Sequence, residues 1–228
     1  MSGGDSGVVS VSGTLDASGR SPGEKGGRVV ILGEKIALDA GAKLDVSGSA
    51  GGGTVLVGGG AQGQGPLPHA QAVYVDPAAA ITADALDQGN GGKVVVWSDQ
   101  YTNFNGTITA RGGANGGNGG SIETSSRQIL AANGVVDASA PRGTAGDWRL
   151  DPFNVTIATT TSNGTFSGGN PDNFNPSANS AIVNYTTINT ALAAGTDVAI
   201  NTNTGGGQTG NITVAAGTAL TNAPATRP

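Results

Sequence analysis

The chain predicts an all-β parallel β-helix (β-solenoid) with about three short strands per turn, and three observations carry that reading. First, five pairs of small residues recur along the 228 residues: Gly26-Gly27, Gly52-Gly53, Gly91-Gly92, Gly119-Gly120 and, in weaker form, Ala145-Gly146. Their first members lie 26, 39, 28 and 26 residues apart, a period that marks stacked repeats. Second, aligning on the pairs puts Val29, Val55, Val94, Ile122 and Trp148 in one column. Ile31, Val57, Val96, Thr124 and Leu150 fall two residues further on. Apolar residues at period two describe a strand with one face inward. Third, a second strand repeats the pattern with Leu15, Leu44, Ile81, Ile108 and Val136, then Ala17, Val46, Ala83, Ala110 and Ala138. Each repeat thus buries its apolar side only against its neighbours.

The elements follow in order. Residues 8–19 already form part of a repeat, so the chain enters the pattern at once, as a piece cut from a longer chain would. Val30, Leu56, Val95, Glu123 and Arg149 lie between the inward columns of the first strand. Asp16, Asp45, Thr82, Thr109 and Asp137 lie between those of the second and should face solvent. Ser or Asp followed by Gly usually closes this strand, as in Asp45-Val46-Ser47-Gly48, and such residues accept tight turns. Two strands do not use up the period, so a third is expected within residues 32–40 and again within 125–132. The 39-residue spacing contains an insertion. Residues 78–86 are Ala-rich enough for a helix, but the repeat phase turns Ile81 and Ala83 inward and predicts a strand. Glycine-rich turns are expected around 58–65 and 112–120. At roughly 27 residues per turn the chain would make about eight turns, a rod on the order of 40 Å long.

After residue 157 the register loosens. We divide the chain into regular repeats over 1–157 and, over 158–228, either a variant continuation of the coil or a small carboxy-terminal module. Residues 159–179 read as a long loop holding Phe166 and Phe174. Residues 188–194 predict a two-turn helix with Thr187 or Asn189 as N-cap and Gly195 just past its end. Strand character resumes at 198–202 and 211–215, and the last six residues, Ala223 to Pro228, should fray.

Composition bounds the function. Glycine makes up 41 residues, but it falls at repeat boundaries while the apolar residues keep phase, so order is expected over low complexity. Aromatics at 4% leave the core to stacked Val, Ile, Leu and Ala. A net charge of −5 and a pI near 4.6 disfavour nucleic acid as a partner. No run of 18 apolar residues occurs, so no transmembrane segment is expected, and the absence of Cys excludes disulfides and thiolate metal sites.

Several blocks carry a resemblance. Gly91-Gly92-Lys93-Val94-Val95-Val96-Trp97-Ser98-Asp99 leads to Phe104-Asn105-Gly106-Thr107-Ile108-Thr109-Ala110-Arg111-Gly112. Gly120-Ser121-Ile122-Glu123-Thr124-Ser125 follows, then Val136-Asp137-Ala138-Ser139-Ala140. Ala145-Gly146-Asp147-Trp148-Arg149-Leu150-Asp151-Pro152-Phe153-Asn154 contains Trp-x-Leu-Asp-Pro ahead of a strand, and residues 187–200 continue the likeness. Together these resemble the filamentous-haemagglutinin-like exoproteins (two-partner secretion type) of bacteria over most of the chain. The resemblance implies an exported right-handed β-helix acting as an adhesin or its stalk. The Asn-Pro-Asn motifs of that family's secretion domain are missing, since Asn170-Pro171 and Asn175-Pro176 continue with Asp and Ser. The resemblance therefore places this fragment downstream of the secretion domain.

Candidate chemistry is sparse. Asp16, Asp45 and Asp137 share a column that could hold Ca²⁺, but Thr82 and Thr109 interrupt it, and turn residues are the expected role. Asp84 with Arg111, and Glu123 with Arg149, share columns on neighbouring repeats and should form ion pairs between rungs. His69, in Gly65-Pro66-Leu67-Pro68-His69, has no triad or ligand partner in the sequence and reads as a surface-loop residue. Trp148 reads as a core plug. Trp97 lies one past an inward residue and should be exposed. With Tyr101, Asn103 and Phe104 it forms the expected contact patch for a glycan or other ligand. Five glycosylation sequons begin at Asn105, Asn154, Asn163, Asn184 and Asn211, close to the number chance would produce.

The expectation is a structural and adhesive β-helix segment, secreted or on the bacterial surface. It would attach to cells, glycans or biofilm matrix through a host-cell or matrix glycan or protein receptor. No cofactor, metal or catalytic residue is expected. The alternative is a β-helical polysaccharide lyase or glycosidase, which needs carboxylates clustered in a groove. An ice-binding solenoid is a third reading, but Thr107-Ile-Thr109 and Thr202-Asn-Thr204 do not recur at the repeat spacing. Unpaired strand edges at both ends predict local caps, neighbouring turns of a parent rod, or end-to-end self-association.

Overall fold

A computed structural model describes residues 1–4, 6–152, 154–159, 164–166, 174–176, 181–202 and 210–221. The chain winds into a parallel β-helix. Its coils run β1 (Val8–Val11), β2 (Thr14–Asp16), β3 (Arg28–Ile31); then β4 (Lys35–Leu38), β5 (Lys43–Asp45), β6 (Thr54–Val57). The third is β7 (Ala72–Val75), β8 (Ala80–Thr82), β9 (Lys93–Ser98), and the fourth β10 (Tyr101–Phe104), β11 (Thr107–Thr109), β12 (Ser121–Ser126). The fifth is β13 (Ile129–Ala132), β14 (Val135–Asp137), β15 (Asp147–Leu150). Each coil contributes one strand to each of three parallel sheets.

The registers reproduce the predicted columns. Val29, Val55, Val94, Ile122 and Trp148 pair rung to rung in the third sheet. Leu15, Leu44, Ile81, Ile108 and Val136 do so in the second. Both columns belong to one core that runs along the axis. The third strand of each repeat forms as expected, and residues 80–82 are strand, not helix. Where the third sheet turns into the first, the interior is polar. Ser98 Oγ lies 2.8 Å from Thr102 Oγ1 and donates to Ser126 Oγ, and Thr102 donates to the Ser125 carbonyl. Trp148 plugs the core as expected, and its Nε1–H donates to Thr124 Oγ1 at 3.0 Å.

The small-residue pairs form the corner between the second and third sheets. The second member closes the turn within its own coil, as in Gly92 N–H to the Ala83 carbonyl and Gly120 N–H to the Ala110 carbonyl, both 2.7 Å. The first member faces the next coil. A Cβ on Gly26, Gly52, Gly91 or Gly119 would sit 1.7–1.9 Å from the carbonyl oxygen of Val46, Ala83, Ala110 or Ala138. Space, not backbone angle, demands glycine there, since none of these four has positive φ. The exception, Ala145, has a structural cause. The crowding carbonyl always belongs to the residue just past the second-sheet strand of the next coil, and no such strand follows β14.

A helix stands in its place. The chain runs from β16 (Val155–Ala158), through an antiparallel ribbon of β17 (Gly164–Phe166) and β18 (Phe174–Pro176), to β19 (Ala181–Asn184). Next come α1 (Tyr185–Ala194), β20 (Asp197–Ile200) and β21 (Ile212–Val214). Helix α1 packs on β14, and the Ala138 N–H, whose counterparts bond the next strand, donates to Thr196 Oγ1 at 2.7 Å. The N-cap is Asn184, whose Oδ1 accepts from the Thr186 N–H; the helix begins ahead of both expected caps, Thr187 and Asn189. Asn189 instead binds the carboxy-terminal segment at Ala219 and Thr221. Gly195 ends the helix at φ 85°, as its position predicted.

The expected number of turns changes. Among the described residues the expected eight turns become five complete coils, because β19, α1 and β20 form a variant coil and β16 and β21 extend only the first sheet. The six rungs of the third sheet span about 24 Å. The order of the first sheet is also not sequential there: β19 inserts between β13 and β16. Within the expected loop 159–179, the ribbon β17–β18 occurs where residues are described, and much of that loop lies outside the described residues, as do Ala223 to Pro228.

Candidate functional site

The insertion behind the 39-residue spacing spans residues 58–71, between β6 and β7. It lies across the outer face of the third sheet as a strap. Its only regular feature is a 3-10 turn, Ala61–Gly63. Beneath it, outward-facing Leu56, Val95 and Trp97 are buried in a small apolar cluster of their own, joined by Val30 and by Ala61 and Leu67 of the strap. The glycines let the strap lie close: a Cβ on Gly59 or Gly63 would sit 2.9 or 2.5 Å from the Trp97 ring.

Polar contacts fasten both ends. At one, the Gln62 N–H donates to Glu123 Oε1 at 2.8 Å, and its Nε2 reaches Asp151 Oδ2 at 3.4 Å. Gln62 is the only non-glycine residue with positive φ among those described, at 55°, a left-handed conformation costing roughly 1 kcal/mol. At the other end, His69 Nδ1 lies 3.1 Å from Asp99 Oδ1, with its ring edge-on to Trp97 at 6.1 Å between centroids. Arg127 approaches the same carboxylate oxygen at 3.6 Å.

Glu123 is 5% exposed. Burial pushes its carboxyl above the usual glutamate range, and the Asp151 charge adds to this, against hydrogen bonds from Gln62 and Ser125 and attraction from Arg149. A partly open cavity of about 130 Å³ adjoins it, lined by Ala61, Lys93, Ser121, Asp147 and Arg149. The expected Glu123–Arg149 ion pair does not form: the carboxylate turns to the strap, and the Arg149 Nε–H is buried without a hydrogen-bond partner. The sequence indicates the insertion but not what it covers, because nothing local reveals that Glu123, 61 positions from Gln62, lies beneath it.

The contact patch is corrected. Trp97, Tyr101, Asn103 and Phe104 are 2, 6, 4 and 0% exposed, so none presents a face to a ligand. Nor are they one cluster: Trp97 lies under the strap, and Phe104 points into the central core. Tyr101 and Asn103 alternate with Phe104 on β10, and burial pushes the Tyr101 phenol up. The mistake lay in treating the residue after an inward valine as solvent-facing when an insertion can cover the outer face. His69 likewise has a partner that its sequence neighbours did not reveal.

The other candidates lie where expected. Asp16, Asp45 and Asp137 each accept the N–H two residues ahead (Ser18, Ser47, Ser139) at 2.8–2.9 Å, the Asx-turn geometry. The Ser18 hydroxyl and N–H hold Asp16 below the usual aspartate range. Asp84 and Arg111 form the expected rung-to-rung pair, but a tighter one than two exposed charges would make. The guanidinium donates through Nε and one terminal nitrogen at 3.0 and 2.6 Å, the Arg111 N–H adds a third bond at 2.7 Å, and the carboxylate is buried. Among the described residues no group of three His, Asp or Glu side chains is placed to hold a metal ion. None of the described helices is long and apolar enough to cross a membrane.

An open groove of about 540 Å³ follows the glycine corner across four coils, edged by Asn90, Asn118 and Thr144 on one side and Thr54, Lys93, Ser121 and Asp147 on the other. Asn90 and Asn118 brace it by accepting the N–H of Asn118 and Thr144. No protein-family model matches the chain, and no curated protein matches it.

Proposed function

We propose that this chain is a structural and adhesive β-helix segment of a secreted or surface-exposed bacterial adhesin, binding a glycan or protein receptor on cells or in biofilm matrix. The observation that carries the reading is the second sheet. Its five strands keep one register, and along it Asp16, Asp45, Thr82, Thr109 and Asp137 form a polar row at a fixed spacing of about 4.8 Å. A rigid, repeating polar face suits an extended polymer with a regular repeat. The resemblance to filamentous-haemagglutinin-like exoproteins supports the same reading. A glycan array and cell-binding assay test it: binding weakened by Thr82→Arg and Thr109→Arg together supports the reading, and no binding to any glycan, matrix or cell surface counts against it.

One observation favours a polysaccharide-cleaving enzyme as the second reading. Glu123 and Asp151 converge on Gln62, and burial pushes the Glu123 carboxyl above the usual glutamate range. Turnover of any member of a polysaccharide panel, abolished by Glu123→Gln, would replace the adhesive reading with this one.

A further inference from the structure

In-register stacking lays the outward side chains of β9, β12 and β15 in two columns: Lys93, Ser121 and Asp147 in one, Val95, Glu123 and Arg149 in the next. The strap covers Val95, and its Ala61 walls the remaining groups into the cavity beside Glu123. Two carboxylates and two cations line that cavity, so its formal charge balances. Each carboxylate takes a neutral donor: the Gln62 N–H on Glu123, and Ser121 Oγ on Asp147 Oδ2 at 3.3 Å. The cations are left over. Among the described residues neither Lys93 nor Arg149 belongs to an ion pair, and the Arg149 Nε–H has no acceptor. The cavity therefore offers unused donors on its cations and spare lone pairs on its carboxylates.

A ligand that satisfies both must accept and donate through neighbouring groups while carrying no net charge. Adjacent hydroxyls on a sugar ring do this, one accepting from a guanidinium while the next donates to a carboxylate. An anionic sugar would be repelled by Glu123 and Asp147, and a cationic one by Lys93 and Arg149. At about 130 Å³ the cavity is smaller than the roughly 300–1,000 Å³ of most ligand sites. However, Lys93, Ser121 and Asp147 also edge the groove of about 540 Å³ along the glycine corner, so the two adjoin. We propose that they form one binding site for a neutral glycan. One sugar ring is held between Arg149 and Asp147, and the sugars that follow lie along the corner, where no side chain stands in the way. The proposal rests on the adhesive reading and adds to it a ligand class and a site on the third sheet, apart from the polar row of the second.

Isothermal titration calorimetry on the intact chain tests this with soluble oligosaccharides. The neutral arm uses gluco-, manno- and galacto-oligosaccharides, and the anionic arm oligogalacturonate and heparin fragments. The expected result is saturable binding of a neutral oligosaccharide, weakened about tenfold or more by Arg149→Met, which keeps the stem but removes the donors. Thr82→Arg with Thr109→Arg should leave that binding unchanged. Should Arg149→Met lose the β-sheet signal in circular dichroism, Lys93→Ala on the exposed rim decides, and it must weaken binding too. No neutral oligosaccharide bound, tighter binding of an anionic one, or full affinity in the folded variant would each overturn the proposal. Glycan binding weakened by the Thr82→Arg and Thr109→Arg pair but not by Arg149→Met would overturn it and leave the adhesive reading standing. Only a chain that binds no glycan, matrix or cell surface at all would remove both.

Discussion

Replacing Gly91 with Ala adds a single methyl group, yet it should unfasten two coils. The new Cβ would sit 1.9 Å from the Ala110 carbonyl oxygen and 2.6 Å from the Gly120 nitrogen, where ordinary contact begins at 3.4 Å. Both obstacles are backbone, so no side chain can swing away. Opening the corner disturbs the Gly91 N–H bond to the Asn118 carbonyl (2.9 Å) and the Gly120 N–H bond to the Ala110 carbonyl (2.7 Å). Two weakened buried hydrogen bonds plus overpacking should together cost about 3–5 kcal/mol. The control is Gly13→Ala, an exposed site with nothing within 4 Å of the new Cβ and no positive φ. It should be neutral, or stabilising by about 0.4–1 kcal/mol through the unfolded chain. Guanidinium unfolding followed by circular dichroism compares the two. If Gly91→Ala unfolds at the same midpoint as Gly13→Ala, the close-stacked corner is wrong.

Arg111→Ala strips the buried Asp84 carboxylate of its guanidinium and leaves only the Arg111 N–H, so it should destabilise by about 3 kcal/mol in the same assay. Arg111→Lys should recover only part of this, lacking the two-pronged geometry. Asn184→Ala removes the acceptor at the start of α1 and should cost about 1 kcal/mol, whereas Thr187→Ala removes no cap. Asp16 should titrate below the usual aspartate value when followed by carboxyl NMR, and Ser18→Ala should move it back up. Because its folded value is the lower one, its support is present above the ordinary aspartate range and lost as the pH falls through the folded value.

What was legible from the sequence is what repeats. A column such as Leu44, Ile81 and Ile108 is visible because the same burial is imposed at every rung, and the corner glycines because the same carbonyl crowds each of them. Even the irregular Ala145 fits the rule once α1 replaces the strand that would crowd it. Features that occur once were hidden. No periodicity indicates that residues 58–71 fold over the third sheet, so Trp97, one past an inward residue, read as exposed. The fastening of Gln62 to Glu123 crosses two coils and leaves no local pattern. The start of α1 was misplaced because Thr187 and Asn189 are good capping residues, while the turn from β19 brings Asn184 to the position that needs one.

The account rests on residues from successive repeats lying directly above one another, and paired cysteines measure this most directly in a chain that has none of its own. Thr82 pairs with Thr109, and Thr109 with Asp137, while Thr82 and Asp137 are separated by a rung. Adjacent rungs place Cα atoms about 4.8 Å apart, within disulfide reach, and alternate rungs about twice that, beyond it. Mild oxidation should close the Thr82→Cys/Thr109→Cys and Thr109→Cys/Asp137→Cys pairs and leave Thr82→Cys/Asp137→Cys open. Failure of both adjacent pairs to close, or closure of the alternate pair as readily as the adjacent ones, would contradict the stacked coil.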